Sequence, residues 1–410
     1  MHLRNPYRTP PNFVALAGAF PALKRHLVKT GDSYSIDYKD ENAQRLVHTL
    51  PLLHRDFGLT VNIPEGRLLN YLLWLEDVVN ATHLALGSDA ETQPIIRGLD
   101  IGTGASAIYP LLGCRLKPNW TFAATDIDPL SLECARANVS ANGLEPRIAV
   151  VAVNADGPIL GVLAQGERGS SVFEERYDFT MCNPPFYASR EEVLQSAEAK
   201  EFTPNAVCTG AGVEMITPGG EAAFVGRMVE ESAGLSDKCT WVSGHAGSGG
   251  SSSRSLPRAQ IDNHAVAELV QGHTKRWVVA WSWGAARLPD AIGRLAQPGL
   301  QGVLPPRNSL QQALPQGAAM ASVRAAVLDV LASVEGASVA PWGSEGGVDV
   351  LVRASRNTWV DGATPTMWVE WVAGVDRGLF EGFASHVERK VVAALKAGWG
   401  RKSEGGQVSM

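Results

Sequence analysis

The stretch of this chain with the clearest chemical potential is "NPPFY", which follows a strand-like run of apolar residues. The side-chain carbonyl of Asn183 can accept a hydrogen bond, and Pro184 has no N–H to draw nearby carbonyls into a ladder. A planar amine such as that of adenine would find two acceptors here, which leaves its nitrogen lone pair facing a methyl donor. Phe186 or Tyr187 would stack on the base. The predicted adenine clamp is Asn183, Pro184, Pro185 and Phe186, and the alternative is a rigid turn that only ends the strand.

A Gly-rich turn earlier in the chain, "GLDIGTGAS", predicts a second part of the site. A strand ends on Asp100, and Gly102 and Gly104 allow a sharp turn into a helix whose N-terminus offers free N–H groups. A dinucleotide fingerprint requires GxGxxG, whereas this turn has GxG with Ser106 where the helix begins. The pattern fits the loop that holds the amino-acid part of S-adenosylmethionine. We predict that all four residues bind this cofactor, with a purely structural strand-to-helix turn as the alternative.

Acidic and amide residues after two further strands extend the predicted cofactor site. Asp126 lies about twenty residues after the glycines, where an acid accepts hydrogen bonds from both ribose hydroxyls. Asp128 is predicted instead to cap the helix that begins at Pro129. Asn154 and Asp156 follow the third strand and can bind the adenine ring of the cofactor, although turn chemistry explains them equally well.

These residues need a scaffold that brings strand ends together, and the pattern from Ile95 onward provides one. Apolar strands such as "PIIRGLDI", "WTFAATD", "RIAVVAV", "RYDFTMC" and "KCTWVSG" alternate with helices. This alternation predicts an α/β, Rossmann-like, doubly wound sheet of seven strands. The strands "HAVAELVQ" and "KRWVVAWSW" are predicted to form an antiparallel hairpin at one edge. Ligands of open α/β sheets collect at the carboxyl ends of the strands, where all the candidate residues lie.

The chain divides into four predicted regions. Residues 1–80 form a helical N-terminal extension, 81–286 the Rossmann-like domain, 287–320 a linker and 321–400 a small α+β domain. The first 30 residues contain no acid. Their basic side chains can bind RNA phosphates, or they form only a solvated helix face. The candidates for RNA contact are Arg4, Arg8, Lys24 and Arg25, together with Tyr187.

Composition limits the remaining classes of function. The chain has 410 residues, 45% of them hydrophobic, and a net charge of −6, so nucleic acid must be bound through a local patch. Five cysteines without a CxxC pair argue against a disulfide framework and a zinc site. The apolar runs are strand-sized, which predicts no membrane span. We expect an intracellular protein of a reducing compartment, nuclear or cytoplasmic, without a metal.

Several segments together resemble one family. These are "MHLRNPY", "DFGLTVNIP", "LNYLLWLED", "GLDIGTGASAIYPLLG", "YDFTMCNPPF", "CTGAGVEMITPGGEAAFV" and "QGHTKRWVVAWS", in that order. They resemble the methyltransferase-like protein sixteen family, with a fungal-type member expected. Its eukaryotic branch methylates U6 small nuclear RNA, and a bacterial branch methylates large-subunit ribosomal RNA.

The resemblance covers residues 1–284 and implies several properties. It implies a class I S-adenosylmethionine-dependent fold and N6-methylation of an unpaired adenosine in structured RNA. Gly102, Ser106 and Asp126 would bind the cofactor, the NPPF residues would hold the target adenine, and the N-terminal arm would grip the RNA.

The sequence departs from the family at two places. The family carries a Pro-rich piece ending in a cofactor-binding arginine before the "LNY" helix, whereas "IPEGRLLNY" runs straight through and offers only Arg67, which reads as a helix-face residue. A Lys-containing loop is replaced by the Gly/Ser-rich tract 244–260. Both departures predict weaker cofactor binding.

Two alternative functions therefore stay open. One is an RNA-binding protein with lost or weak methyltransferase activity. The other is a methyltransferase for protein glutamine or a small-molecule amine, because NPP-aromatic motifs also hold planar amides. The acid-free N-terminus argues against the second alternative.

Overall fold

The computed structural model describes most of the chain, in two compact units. The described residues are 2–8, 12–19, 21–31, 33–37, 69–87, 94–164, 176–185, 187–192, 216–246, 261–271, 274–295, 304–335, 337, 349–355 and 366–404. The first unit comprises residues 1–79, 93–283 and 294–305. The second comprises residues 80–92, 284–293 and 306–410.

The first unit opens with a helix and a hairpin. Helix α1 spans Phe13–Ala19, and a 3-10 helix follows over Pro21–His26, where proline cannot continue an α-helix. Strands β1, Leu27–Thr30, and β2, Ser33–Ile36, then pair antiparallel. The prediction of a helical extension is wrong at this hairpin, because Gly31 adopts the φ of +63° that favours a tight turn over a helix. Residues 38–68 of the predicted helical extension lie outside the described residues.

The central sheet of the first unit contains eight strands among the described residues, in the order β10-β8-β9-β7-β6-β3-β4-β5. The strands are β3 Ile96–Ile101, β4 Trp120–Asp126, β5 Ile148–Ala152, β6 Tyr177–Cys182, β7 Cys239–Ala246, β8 His264–Gln271, β9 Thr274–Trp281 and β10 Arg294–Leu295. The helices of this unit after α1 are α2 Leu69–Ala85, whose end enters the second unit, α3 Ile108–Leu116, α4 Pro129–Ala141, α5 Gly161–Ala164 and α6 Gly220–Ser232.

The pairing of the strands confirms a doubly wound sheet. Strands β7, β6, β3, β4 and β5 are parallel, and β9 lies antiparallel between β7 and β8. Because β3 borders β4 on one side and β6 on the other, the topological switch point lies between β3 and β6. The predicted hairpin is present, but β10 pairs parallel with β8 and extends the sheet beyond it. This two-residue strand lies in the predicted linker and is too short for a recognisable pattern.

Close packing under the Gly-rich loop depends on two glycines. A Cβ added to Gly98 on β3 would lie 2.5 Å from the ring of Phe122, and one added to Gly113 on α3 would lie 2.6 Å from the same ring. Phe122 also packs edge-on against Phe179 of β6, with ring centroids 5.9 Å apart. Glycine at both positions therefore lets α3 pack directly on the sheet, which fixes the start of the helix above the end of β3.

The second unit is a small α+β fold. Its elements are α7 Asp290–Gly293, β11 Ser309–Ala313, α8 Met320–Ala332, β12 Asp349–Ser355, β13 Thr366–Ala373 and α9 Arg377–Glu404. The strands form an antiparallel sheet in the order β11-β13-β12. Trp371 stacks on Phe380 with centroids 5.3 Å apart, and the guanidinium of Arg287 lies 3.9 Å from the Trp371 ring. Strand β11 is a correction to the predicted linker, because its polar sequence "SLQQA" pairs with β13, a contact that no local sequence pattern indicates.

Candidate active site

Two of the predicted motifs meet at the carboxyl edge of the central sheet. Ile101, the last residue of β3, lies opposite Cys182, the last residue of β6. One residue further, Gly102 and Asn183 therefore leave two neighbouring parallel strands at the same level. The strands diverge at the switch point, where open α/β sheets bind their ligands. The fold thus places the Gly-rich turn and the NPPF motif side by side although 81 residues separate Gly102 from Asn183.

The Gly-rich turn has the conformation of a cradle. Gly102 and Gly104 have φ angles of +69° and +63°, and Ala107 has the unusual φ of +48° for a residue with a side chain. A Cβ added to Gly102 would meet no atom of the structure within 4 Å. The hydroxyl of Ser106 accepts a hydrogen bond of 3.3 Å from the N–H of Ile108, the first residue of α3. The turn therefore leaves space next to a helix N-terminus, which fits a cofactor at this position.

Asp126 connects this turn to the end of β4. One carboxylate oxygen accepts a hydrogen bond of 2.8 Å from the N–H of Gly104, and the other accepts one of 3.0 Å from the N–H of Asp128. Each carboxylate oxygen has capacity for a further donor, such as a ribose hydroxyl. Asp128 caps α4 as predicted, since its side chain accepts from the N–H of Ser131 at 2.8 Å. This hydrogen bond holds the pKa of Asp128 below its ordinary value.

Asp100 carries an unsatisfied oxygen beneath the turn. Its Oδ2 accepts a hydrogen bond of 2.6 Å from the hydroxyl of Thr103, whereas its Oδ1 is buried and has no hydrogen-bond partner among the described residues. Burial raises the pKa of Asp100 to about 7. An unpaired buried carboxylate oxygen requires a donor. A cofactor that carries an ammonium group, as S-adenosylmethionine does, fits this requirement.

The NPPF motif leaves the sheet with its asparagine exposed. Pro184 is buried and Pro185 half-buried, so the prolines anchor the turn while the side chain of Asn183 faces solvent at the edge. The carbonyl of Tyr187 accepts a hydrogen bond of 2.9 Å from the N–H of Thr217, which fixes the end of the motif. Phe186 lies outside the described residues, and its stacking role stays a prediction.

Asn154 and Asp156 occupy an exposed turn after β5. The side chain of Asn154 accepts a hydrogen bond of 3.1 Å from the N–H of Asp156. The backbone carbonyl of Asn154 accepts one of 3.0 Å from the N–H of Gly157. These contacts are the turn chemistry considered as the alternative. A role of the two residues toward the adenine ring of the cofactor stays a prediction.

The basic N-terminal arm is docked on α2. Arg4 donates to the carboxylates of Glu76 and Asp77 at 2.5 Å each and to the carbonyl of Leu73 at 3.1 Å. This guanidinium therefore anchors the arm in the described structure, and such an anchor differs from the predicted phosphate contact. The other predicted basic contacts, Arg8, Lys24 and Arg25, are exposed.

Several polar residues around the site were not predicted from the sequence. Asn138 of α4 donates to the carbonyl of Ala105 at 3.0 Å and so holds the Gly-rich turn from behind. The available signal was an asparagine three residues after Ala135, on the face of the helix that also carries Leu132 and Val139. Tyr71 and Ser243 also lie buried near the strand ends. Trp74 and Tyr109 are buried as well.

Two further features of the described residues bear on the expected class of protein. No helix among them is long and apolar enough to cross a membrane. Within the same residues, no group of three or more His, Cys, Asp or Glu side chains is arranged to hold a metal ion.

Sequence comparison relates the chain to proteins that modify RNA. A family model described as "RNA methyltransferase" matches residues 1–285. A relative from Dictyostelium discoideum, named U6 small nuclear RNA (adenine-(43)-N(6))-methyltransferase, is 35% identical over 317 residues, or 68% of this chain and 55% of the relative. The chain thus spans about half the length of such curated relatives.

Structure comparison points to the same group. The human METTL16 catalytic domain, solved in complex with the MAT2A 3′UTR hairpin 6, is 35% identical and superposes with a TM-score of 0.57, covering 69% of this chain and 97% of that one. The N-terminal domain of human METTL16 in complex with SAH gives 35% identity and a TM-score of 0.53, with coverage of 69% and 98%.

Proposed function

We propose that this chain, which belongs to the RNA methyltransferase family matched over residues 1–285, transfers a methyl group to the N6 amine of an unpaired adenosine in structured RNA. The observation that supports this most is that Gly102 and Asn183 directly follow the paired last residues of two neighbouring strands, β3 and β6. A cofactor cradle and an adenine clamp need this proximity, because a methyl group moves directly between them. Since relatives are named for U6 small nuclear RNA, we propose that RNA as the substrate and the nucleus as the location.

Asn183 would hold the amine, not activate it with a base. Its side-chain carbonyl and a backbone carbonyl of the motif accept the two protons of the amine, which turns the nitrogen lone pair out of conjugation and toward the methyl group. The proton leaves to solvent after transfer, so a general base is not required before attack. Catalysis of this type depends mainly on position and orientation. The exposed side chain of Asn183 and the buried Pro184 suit that role.

S-adenosylmethionine, when bound, supplies an electrophilic methyl group. The residues that would hold it are Gly102, Gly104 and Ser106 in the turn, Asp126 toward the ribose and Asp100 toward the ammonium group. The open space beside Gly102 and the unpaired oxygen of Asp100 support this assignment. Arg67 and the rest of the Gly/Ser-rich tract after Ala246 lie outside the described residues, so weaker cofactor binding stays a prediction.

The test is methyl transfer to a hairpin RNA with one unpaired adenosine. Replacing Asn183 by Ala should lower the single-turnover rate at least about a hundredfold, since the amine loses its positioning acceptor. Asn119→Ala, which removes an asparagine before β4 at the opposite edge of the sheet, is the matched control and should keep the rate.

Three outcomes would overturn parts of the proposal. Full activity of Asn183→Ala would remove the assigned role of the clamp. RNA binding without any transfer by the unmodified chain would favour a binding protein that no longer methylates. Transfer to glutamine peptides but not to RNA would favour the amide methyltransferase.

A further inference from the structure

A buried hydroxyl pair lies directly behind the NPPF motif. The hydroxyl of Tyr71, on α2, and the hydroxyl of Ser243, on β7, are 2.7 Å apart. Both residues are almost fully buried, with 1% of Tyr71 exposed and none of Ser243. Tyr71 belongs to none of the loops that carry the proposed chemistry, so its hydroxyl needs a separate explanation.

Ser243 joins the ends of β6 and β7. The paired positions of these strands end at Phe179 and Trp241. Beyond that point the hydroxyl of Ser243 donates to the carbonyl of Thr180 at 2.5 Å, and the N–H of Ser243 donates to the hydroxyl of Thr180 at 3.0 Å. Since Ser243 uses its proton toward Thr180, Tyr71 is the donor to Ser243. A chain of hydrogen bonds therefore runs from α2 across β7 to β6.

This series of hydrogen bonds ends at Thr180, three residues before Asn183 of the proposed adenine clamp. The phenol of Tyr71 also lies beside the backbone of Cys182, the residue that precedes Asn183. Burial raises the pKa of Tyr71 well above its ordinary value, so the phenol stays protonated and able to donate. Its ring packs edge-on against His245, 4.7 Å away, and Tyr109, 5.8 Å away, which hold it in one orientation.

We propose that Tyr71 is a positioning residue for methyl transfer, which acts through Ser243 and Cys182 to set the place where Asn183 leaves the sheet. Tyr71 touches neither the substrate nor the cofactor in this assignment. The backbone pairing of β6 and β7 ends before the hydrogen bonds of Tyr71, Ser243 and Thr180 begin. These hydrogen bonds therefore fix the separation of the two strand ends. The inference rests on the proposed role of Asn183.

The decisive variant is Tyr71→Phe, which keeps the ring packing and removes only the donor. We expect the single-turnover rate at saturating RNA and cofactor to fall about tenfold to a hundredfold, because small displacements of a reacting group have effects of this size. The dissociation constants of S-adenosylmethionine and RNA should stay within about twofold, since positioning acts on the reacting geometry and not on binding. Ser243→Ala should give a similar loss, and the double variant should be no slower than the slower single variant.

Ser232→Ala is the matched control for general stability. Its hydroxyl is buried, donates to the carbonyl of Val229 at 2.7 Å and accepts from the indole of Trp281 at 2.9 Å, at the far end of α6. This variant should lose stability but keep the transfer rate. Any of three results would overturn the positioning role. These are an equal rate loss in Ser232→Ala, an unchanged rate in Tyr71→Phe, or a double variant in which the losses of Tyr71→Phe and Ser243→Ala multiply.

Amide hydrogen exchange separates this inference from the proposed function. In Tyr71→Phe, the amides of Cys182 and Asn183 should exchange faster than in the unmodified chain, while those of β4 should not change. If the unmodified chain transfers no methyl group, the proposed function fails, yet the exchange experiment still decides whether Tyr71 holds this strand end. Unchanged exchange at Cys182 and Asn183 would overturn the inference whatever the activity.

Discussion

Single residues at the sheet edge combine an unusual backbone with free space. Gly102 and Gly143 have φ angles of +69° and +63°, and a Cβ added to either would meet no atom within 4 Å. The two positions differ in place, because Gly102 follows β3 at the proposed cofactor site and Gly143 follows α4 at the other end of the sheet. Only at Gly102 would a methyl group occupy space that the proposed cofactor needs.

The variants Gly102→Ala and Gly143→Ala separate backbone strain from ligand exclusion. Both should destabilise the protein by about 1–2 kcal/mol, because a side chain in the left-handed region costs this much. Gly102→Ala alone should also raise the dissociation constant of S-adenosylmethionine, by about tenfold or more. Thermal unfolding and calorimetric titration measure the two effects. Equal cofactor affinity in both variants would argue against the cradle.

His245 gives the stability of the protein a defined pH dependence. Burial, and then the positive charge of Arg276, lower its pKa from 6.5 to about 4. The neutral imidazole therefore contributes stability that is present above pH 6.5 and lost as the pH falls toward 4. Relative to His245→Gln, the unmodified chain should lose about 2 kcal/mol of unfolding free energy between pH 7 and pH 5, measured by urea denaturation.

The comparison with His245→Gln is necessary because Asp100 acts in the opposite direction. Because the pKa of Asp100 is raised to about 7, the protonated carboxyl stabilises the folded state at low pH. This contribution is lost as the pH rises from about 4 to 7. Asp100→Asn should remove that slope. His386→Gln, which changes a histidine of the second unit, serves as the control. A pH profile of His245→Gln that parallels the unmodified chain would contradict the assignment.

Secondary-structure elements bring together residues that are far apart in the sequence. Helix α2 carries the docked arm through Glu76 and Asp77 and supplies Tyr71 to the strand ends. The same helix therefore contacts both the N-terminal arm and the strand ends that carry the proposed adenine clamp.

The salt dependence of RNA binding distinguishes an anchoring arginine from a phosphate contact. If Arg4 docks the arm, as its two ion pairs indicate, Arg4→Ala should leave the slope of log affinity against log salt unchanged. Arg8→Ala should reduce the slope by about 0.7–0.9, the value for one lost phosphate contact. Binding of a labelled hairpin RNA at several salt concentrations measures both. A slope that falls in Arg4→Ala and not in Arg8→Ala would reverse the two roles.

The sequence predicts elements and residues where the local pattern is specific. The positions of Asp126, Asp128 and Gly102 follow from strand-turn-helix patterns, because each pattern is completed within a few residues. The hydrogen bond of Tyr71 to Ser243 spans 172 positions, and only the folded sheet brings the two residues together. The same reason hides the docking of Arg4 on α2 and the pairing of β10 with β8.

On the scale of the whole molecule, net charge limits the surfaces that could bind the proposed RNA substrate. The net charge of −6 excludes a general attraction to RNA, so the exposed basic residues of the first 30 positions become the main candidates. The family match ends at residue 285, while the second unit continues to the end of the described chain.

The two sequence departures lie on the proposed cofactor side of the site and leave the residues of the proposed adenine clamp in place. The absent Pro-rich piece before "LNY" and the Gly/Ser-rich tract both belong to the cofactor side of the family pattern. We therefore expect measurable but weakened binding of S-adenosylmethionine in calorimetric titration. No heat of binding at millimolar cofactor would instead favour an RNA-binding protein.

The identity of the methylated nucleoside tests the proposed function most directly. The full chain is incubated with S-adenosylmethionine carrying a deuterated methyl group and with a hairpin RNA containing one unpaired adenosine, and the RNA nucleosides are separated by mass spectrometry. We expect deuterated N6-methyladenosine at that position, and no such product when the adenosine is paired or Asn183 is replaced by Ala. Absence of labelled N6-methyladenosine under conditions where the RNA is bound, or label on another nucleoside, would contradict the proposed function.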